Sequence, residues 1–270
     1  MSKKSQEVLI KDSYREFFKY FSDKPCSVNE FFDWCLSNAI FCERNDAYKE
    51  QWERLKKTIL EGESVLIKKG NKKELVPFEP TIREYGRMGH GSDYFADLYE
   101  KTLNIVVKLD KTNNAAPTAI LKNVTGYEKI TNGEIKKKKE NHILIKYTDE
   151  AENSHQAFKG FVSNYQVSHI WGHTKNPLLF TAPWNICYLP KIADPFSGHE
   201  ANGDLVKIFQ DKLKEEARTR FYEEIEEYND DILNHEKIKN LKETLDSIKK
   251  SSQEEARFYE EAKAAWLPID

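Results

Sequence analysis

The stretch Phe161-Val162-Ser163-Asn164-Tyr165-Gln166-Val167-Ser168-His169, continued by Trp184-Asn185-Ile186-Cys187-Tyr188-Leu189-Pro190 and then Gly198-His199-Glu200, decides how this chain is read. Both apolar runs are rich in β-branched and aromatic residues. The segment from Gly172 to Pro183 between them carries turn formers, so two short strands joined by a loop are expected. Asp194-Pro195 and Ser197-Gly198 then mark a turn, and a helix is expected to begin between Ser197 and Gly203. A histidine closes the first strand, an asparagine opens the second 16 residues later, and another histidine follows 14 residues beyond. Three such residues facing one another across a hairpin suit metal-assisted phosphodiester hydrolysis.

On the N-terminal side the pattern changes twice. Residues 8–60 read as helical. Tyr14, Phe17, Phe18 and Phe21 follow a helical repeat, Ser27 is a fitting N-cap for Val28-Asn29-Glu30-Phe31-Phe32, and a third helix runs from about Asp46 to Leu60. From Ser64 to Tyr165 the signal is mixed. Ser64 to Lys68 and Glu74 to Phe78 flank Gly70-Asn71 as a hairpin, Leu103 to Leu109 and His142 to Tyr147 read as strands, and Ala115 to Val124 reads as a short helix stopped by Gly126.

On the C-terminal side the chain turns helical after Asn202. Leu205, Ile208, Phe209, Leu213, Phe221, Ile225, Tyr228 and Ile232 form one apolar stripe, and Ile238, Leu241, Leu245 and Ile248 form a second. The second covers about two heptads, too short to prove a coiled coil, and an intermolecular coiled coil is the alternative to a hairpin. The expected arrangement is an amphipathic helical hairpin folded back on its own domain, broken near Asn234 or His235 and again near Ser251-Ser252.

An apolar fraction of 39% allows one sizeable core in a chain of 270 residues, and a charged fraction of 32% makes the surface heavily ionic. No apolar run is long enough to cross a bilayer, and the first residues lack the apolar core of a signal peptide, so a soluble, cytoplasmic protein is expected. Cys26, Cys35, Cys42 and Cys187 show no C-x-x-C spacing and are read as reduced, structural residues without zinc. The net charge of −3 hides an asymmetry. Residues 211–270 hold 11 basic against 17 acidic side chains, while residues 1–210 hold 31 against 28. Basic clusters at Lys68-Lys69-Gly70-Asn71-Lys72-Lys73 and Lys136 to Lys139 could touch phosphate or serve as solvated hairpin tips.

In the decisive stretch the sequence resembles the HNH, or ββα-metal, nuclease family, some of whose members are type II restriction endonucleases. Ser168-His169-Ile170 stands at the first histidine position, Asn185-Ile186 at the central asparagine and His199 at the final histidine. The resemblance implies that His169 is the general base that deprotonates the attacking water. It implies that Asn185 fixes the loop and orients the histidine, or ligates the ion. It implies that His199 helps hold a divalent cation, Mg²⁺ with Mn²⁺ as substitute, that stabilises the transition state. Ser168 stands where many members carry a ligating Asp, and the long gap before His199 leaves Asp194 or Glu200 as alternative ligands. Each residue also has a structural reading: His169 bonded to a carbonyl, Asn185 in a turn, His199 at a helix start.

Other residues of the segment are weaker candidates. His173, four residues after His169, belongs to a loop marked by Gly172 and Asn176-Pro177, and Lys175 in the same loop is either a strand contact or a solvated lysine. His90 sits in a glycine-rich turn without the order of a phosphate loop. No G-x-S-x-G elbow, H-E-x-x-H helix or G-x-G-x-x-G fingerprint is present.

These readings give an α+β protein in three parts. Residues 1–160 are a helical and mixed recognition region, 161–211 a ββα-metal nuclease element, and 212–270 a charged helical extension. The expected function is a metal-dependent DNA endonuclease of restriction or anti-phage type, with no membrane partner and a homodimer favoured for duplex cleavage. The alternatives are an interaction protein that uses the acidic helical tail, and an RNA-binding or RNA-cleaving protein.

Overall fold

The computed structural model describes residues 9–21, 27–68, 75–84, 92–111, 114–130, 158–197, 202–247 and 252–270. The fold is α+β, with small sheets set among helices. Strand β1 (Ile10–Asp12) precedes α1 (Ser13–Phe21), α2 (Val28–Ser37), β2 (Ile40–Phe41) and α3 (Asp46–Lys56), which ends in a wide turn over Lys57–Glu61. Ser27 caps α2 through a reciprocal capping box: its Oγ accepts from Glu30 N at 3.3 Å, and its own N donates to Glu30 Oε2 at 3.0 Å. Ser27→Ala is expected to cost about 1 kcal/mol, read as a lowered urea midpoint at unchanged slope.

The N-terminal region is less uniformly helical than its sequence suggests. Ile40 and Phe41 add a third strand to the central hairpin, pairing with Tyr188 and Cys187. Two residues are too few to show a period, so only the partner strand reveals them. Strands β3 (Leu66–Lys68) and β4 (Leu75–Pro77) pair antiparallel as the expected hairpin, Leu66 opposite Pro77 and Lys68 opposite Leu75, while Gly70-Asn71 lies outside the described residues. Strand β5 (Thr81–Arg83) and helix α4 (Ser92–Leu103) follow.

The strand expected over Leu103 to Leu109 shrinks to β6 (Lys108–Asp110), parallel to β5. Before it, Asn104 turns left-handed (φ 55°), and Ile105 and Val107 are buried while Val106 is 63% exposed. The alternation therefore records which side chains face the core in an extended coil, not ladder pairing. Helix α5 (Ala115–Thr125) ends at Gly126 (φ 73°), as its sequence indicates. The expected strand at His142 to Tyr147 and the Lys136 to Lys139 cluster lie outside the described residues, as do Lys69 to Lys73.

Strands β7 (Tyr127–Lys129) and β8 (Gly160–Ser163) complete a parallel sheet in the order β1-β8-β7. Strand β9 (Tyr165–His169) then pairs with β10 (Ile186–Pro190) in a second, antiparallel sheet in the order β2-β10-β9. Asn164, left-handed at φ 58°, bends the chain from one sheet into the other. Its carbonyl accepts from Ser13 Oγ and from Lys191 N, and its amide donates to the Asp12 carboxylate.

After β10 a short turn leads directly into α6 (Asp194–Ser197), so Asp194-Pro195 opens a helical turn where a plain turn was expected. Proline is well suited to a first helical turn, because its missing N–H has no helical acceptor there. The long helix α7 (Asp204–Glu226) begins at Gly203 (φ 109°), followed by a wide turn over Glu227–Ile232, α8 (Glu236–Ser247) and α9 (Gln253–Ala264). The breaks fall after Ile232 and at Ser252, whose Oγ caps α9 by accepting from Glu255 N at 3.1 Å.

The tail folds onto its own domain. Phe209, Leu213, Phe221, Ile225, Tyr228, Ile232, Ile238, Leu241 and Leu245 are buried, whereas Leu205 and Ile208, placed on the same stripe by periodicity, are 45% and 43% exposed at the start of α7. That first turn extends past the edge of the core. One apolar core takes residues from all three stretches that the sequence pattern separates, from Phe32 through Leu121 and Trp184 to Leu241 and Trp266. Trp184 lies at its centre, edge-on to Trp52 and within 6.0 Å of the Trp171 and Tyr228 rings. Among the described residues no helix is long and apolar enough to cross a membrane.

Candidate active site

The β9–β10 hairpin forms with His169 opposite Ile186, so His169 ends the first strand and Asn185 immediately precedes the second. Between them the loop is built like core. Every residue from Lys175 to Asn185 is buried, although the segment lacks regular structure. Its backbone polar groups therefore need internal partners, and two asparagines supply them.

Asn185 is wholly buried. Its Oδ1 accepts from Trp171 N at 3.0 Å, and its Nδ2 donates to Gly172 O at 3.2 Å and Leu179 O at 2.9 Å. Its backbone N donates to Ala182 O, and its carbonyl accepts from Ile170 N. This is the loop-fixing role in full. It does not suit the direct metal-ligand role expected for Asn185, because the carboxamide faces backbone groups inside the loop and presents no surface to an ion.

Asn176, which the sequence marks only as part of a turn, is the second buried anchor. Its Oδ1 accepts from Leu178 N and Leu179 N, and its Nδ2 donates to Tyr228 Oη and Ala265 O. The same Ala265 carbonyl accepts from His173 Nδ1 at 3.1 Å, and Trp171 Nε1 donates to Asp270 O. The chain after α9 is thus bonded to the loop at three points. Burial holds the His173 imidazole below its ordinary pKa, against the opposing pull of the Ala265 carbonyl.

His169 is partly buried and stacks on Phe180, centroids 5.1 Å apart. Its Nε2 lies 3.0 Å from Phe180 O. A carbonyl oxygen only accepts, so this contact places the ring proton on Nε2 and makes Nδ1 the basic nitrogen of the neutral ring. The carbonyl-bonded reading of His169 is thus the observed geometry, and it also fixes a tautomer suited to accepting a proton.

His199 and Glu200 lie outside the described residues, as does His90. The chain leading to His199 is anchored by Gln166 Nε2 donating to Ser197 Oγ at 2.7 Å. Strand alternation puts Gln166 and Ser168 on one face of β9, with Val167 and His169 on the other. Asp194, the alternative ligand, is exposed on α6 beyond the Pro190 end of the hairpin, away from the His169 end. Among the described residues no three His, Cys, Asp or Glu side chains converge as a metal site. Cys35, Cys42 and Cys187 are buried thiols that form no disulfide.

Lys175 is neither solvated nor available to a strand. It is 3% exposed, donates to Arg83 O at 2.6 Å and Glu84 O at 2.8 Å, and lies over the Phe95 ring. Burial pushes its pKa down to about 8, with nearby Glu261 opposing the shift. Between about pH 8 and the ordinary value of 10.5 the unfolded chain holds more protons than the folded one, so this residue makes stability rise with pH across that window. Lys175→Met is expected to remove that rise, and the difference between wild-type and variant unfolding free energies at several pH values measures it.

A family profile described as "Uncharacterised protein PM1201" matches residues 44–143 and 132–268. A protein of Pasteurella multocida (strain Pm70) with the description "Uncharacterized protein PM1201" is 32% identical over 219 residues, which cover 81% of this chain and 78% of that relative. No solved structure matches the chain. The profile and the relative each span most of the fold, and the profile's second match contains the whole His169 to Asn185 loop; the chain belongs to the PM1201 family.

Proposed function

We propose that the protein is an endonuclease that hydrolyses phosphodiester bonds of DNA in the cytoplasm, with His169 as general base. One observation carries the reading: a histidine at the end of β9, its tautomer set by Phe180 O, stands in a long loop locked from within by Asn185. A base must be held in one orientation to take a proton from water, and the Nε2 bond to Phe180 O supplies that orientation. Asn185 acts by positioning the loop. The divalent ion implied by the resemblance finds no ligand set among the described residues and enters no step of this reading. Duplex cleavage by one such site per strand favours a homodimer.

The test is incubation of the purified protein with plasmid, single-stranded DNA and RNA, in Mg²⁺, in Mn²⁺ and in EDTA, beside His169→Gln. Cleavage lost in His169→Gln supports the reading, and the substrate arms separate DNA from RNA. The EDTA arm reads metal dependence directly. Absence of cleavage of every substrate in every metal condition, with His169→Gln folded as the wild type, overturns it.

A further inference from the structure

Lys129 ends β7 and Lys191 directly follows β10, and the bend at Asn164 brings these two strand ends to one corner of the fold. Val162 lies opposite Lys129 in the parallel sheet, and its carbonyl accepts from Ile130 N at 2.9 Å. Two residues further along the same stretch, the Asn164 carbonyl accepts from Lys191 N at 2.8 Å. Both lysines are exposed. Lys11, opposite Val162 on its other side, holds its ammonium 5.1 Å from the centre of the Tyr127 ring, a contact that leaves the positive charge in place.

The charge at this corner is not neutralised as it is elsewhere on the surface. Lys56, Lys122, Lys159 and Lys212 each pair with a carboxylate. Among the described residues neither Lys129 nor Lys191 forms an ion pair. The neighbouring acids are committed to other groups: Glu128 pairs with Lys122 at 3.0 Å, and Asp12 receives the Asn164 amide on both oxygens at 3.0 Å. Asp194, on the turn after Lys191, forms no ion pair with it. Burial of part of the side chain, and then the neighbouring Lys191 ammonium, draw the Lys129 pKa below its ordinary value, with no carboxylate pulling the other way. Two like charges held together cost free energy in the unbound protein, and an anion placed against both recovers it. Because the corner is open to water, a small anion keeps its hydration there, whereas a polyanion gains by releasing its condensed counterions.

We propose that Lys129 and Lys191 form a contact for the phosphate backbone of a nucleic acid, at the Pro190 end of the β9–β10 hairpin and away from its His169 end. The proposal rests on the nuclease reading only in taking DNA as that nucleic acid. The test uses the full chain carrying His169→Gln and a fluorescein-labelled DNA duplex, with binding followed by anisotropy over a range of salt concentrations. Adding Lys129→Gln and Lys191→Gln together is expected to weaken binding by about tenfold and to lower the slope of log K against log salt by about one, whereas replacing both by Arg keeps the slope. Lys212→Gln with Lys263→Gln removes the same amount of charge from lysines already paired with Asp33 and Asp246, and is expected to leave the slope unchanged. Relief of the like-charge contact sets the unfolding midpoint of Lys129→Gln no lower than that of its parent.

An unchanged slope in the Lys129 and Lys191 double variant overturns the proposal, as does an equal loss in the Lys212 and Lys263 control, or absence of any duplex binding. Displacement of the duplex by inorganic phosphate at constant ionic strength assigns the corner to a small anion and overturns it too. A clear fall in midpoint with Lys129→Gln makes that lysine structural, with the same result. Binding that depends on the pair in a protein that cuts nothing keeps this surface and removes the nuclease reading. Cleavage that requires His169 while binding ignores the pair does the reverse.

Discussion

Asn185→Ala is expected to be among the most destabilising single changes in this protein, at about 3 kcal/mol or more, with a fall in thermal midpoint of roughly 6–12 °C. The substitution removes the partners of the half-buried Trp171 amide and Gly172 carbonyl, and leaves the buried Leu179 carbonyl with only the longer bond from Ala182 N. Each stranded buried group costs about 1–3 kcal/mol. Asn185→Asp sharpens the test. A carboxylate keeps the bond from Trp171 N but turns a second acceptor oxygen toward two carbonyls, so Asp is expected to do no better than Ala. A metal ligand behaves in the opposite way, since Asp binds Mg²⁺ more strongly than Asn does. Thermal denaturation of both variants with and without Mg²⁺ decides between the two roles. Stability of Asn185→Asp restored by Mg²⁺ would assign Asn185 to the ion after all.

What the sequence reveals of this fold is what depends on neighbours along the chain. The Ser27 capping box, the Gly126 stop and the β3–β4 and β9–β10 strand pairs each follow from patterns within one short segment. Elements that need a distant partner are hidden: β2 exists because β10 lies beside it, and β6 is short because only three residues meet β5. The loop after His169 shows the same division. Its irregularity is legible from Gly172 and Asn176-Pro177, yet its complete burial is not. Lys175 looks like a solvated lysine until Arg83 and Glu84, more than 90 positions earlier, supply carbonyls for its ammonium. Asn176 draws its partners from Tyr228 and Ala265, 52 and 89 positions away, and no local pattern announces such a bond.

His169→Gln is expected to lower cleavage by about 10²- to 10⁴-fold, the range for loss of a general base, while changing the fold far less than Asn185→Ala does. The two effects separate because His169 makes two kinds of contact. Its Nε2 bond to Phe180 O and its stack on the Phe180 ring are structural. A glutamine amide can replace the donor, while loss of the stack is expected to cost about 1 kcal/mol. The basic nitrogen Nδ1 has no counterpart in a neutral carboxamide, which can accept a hydrogen bond but cannot hold a proton from water. His169→Ala removes the donor as well and is expected to be the less stable of the two, with cleavage equally low. Added imidazole then distinguishes a missing base from a distorted site. It is expected to restore part of the activity of His169→Ala, where removal of the ring leaves space, and little of that of His169→Gln, where the side chain still fills it. Activity retained by His169→Gln at the wild-type level would show that the ring only supports Phe180, and the base would have to be sought elsewhere along the loop.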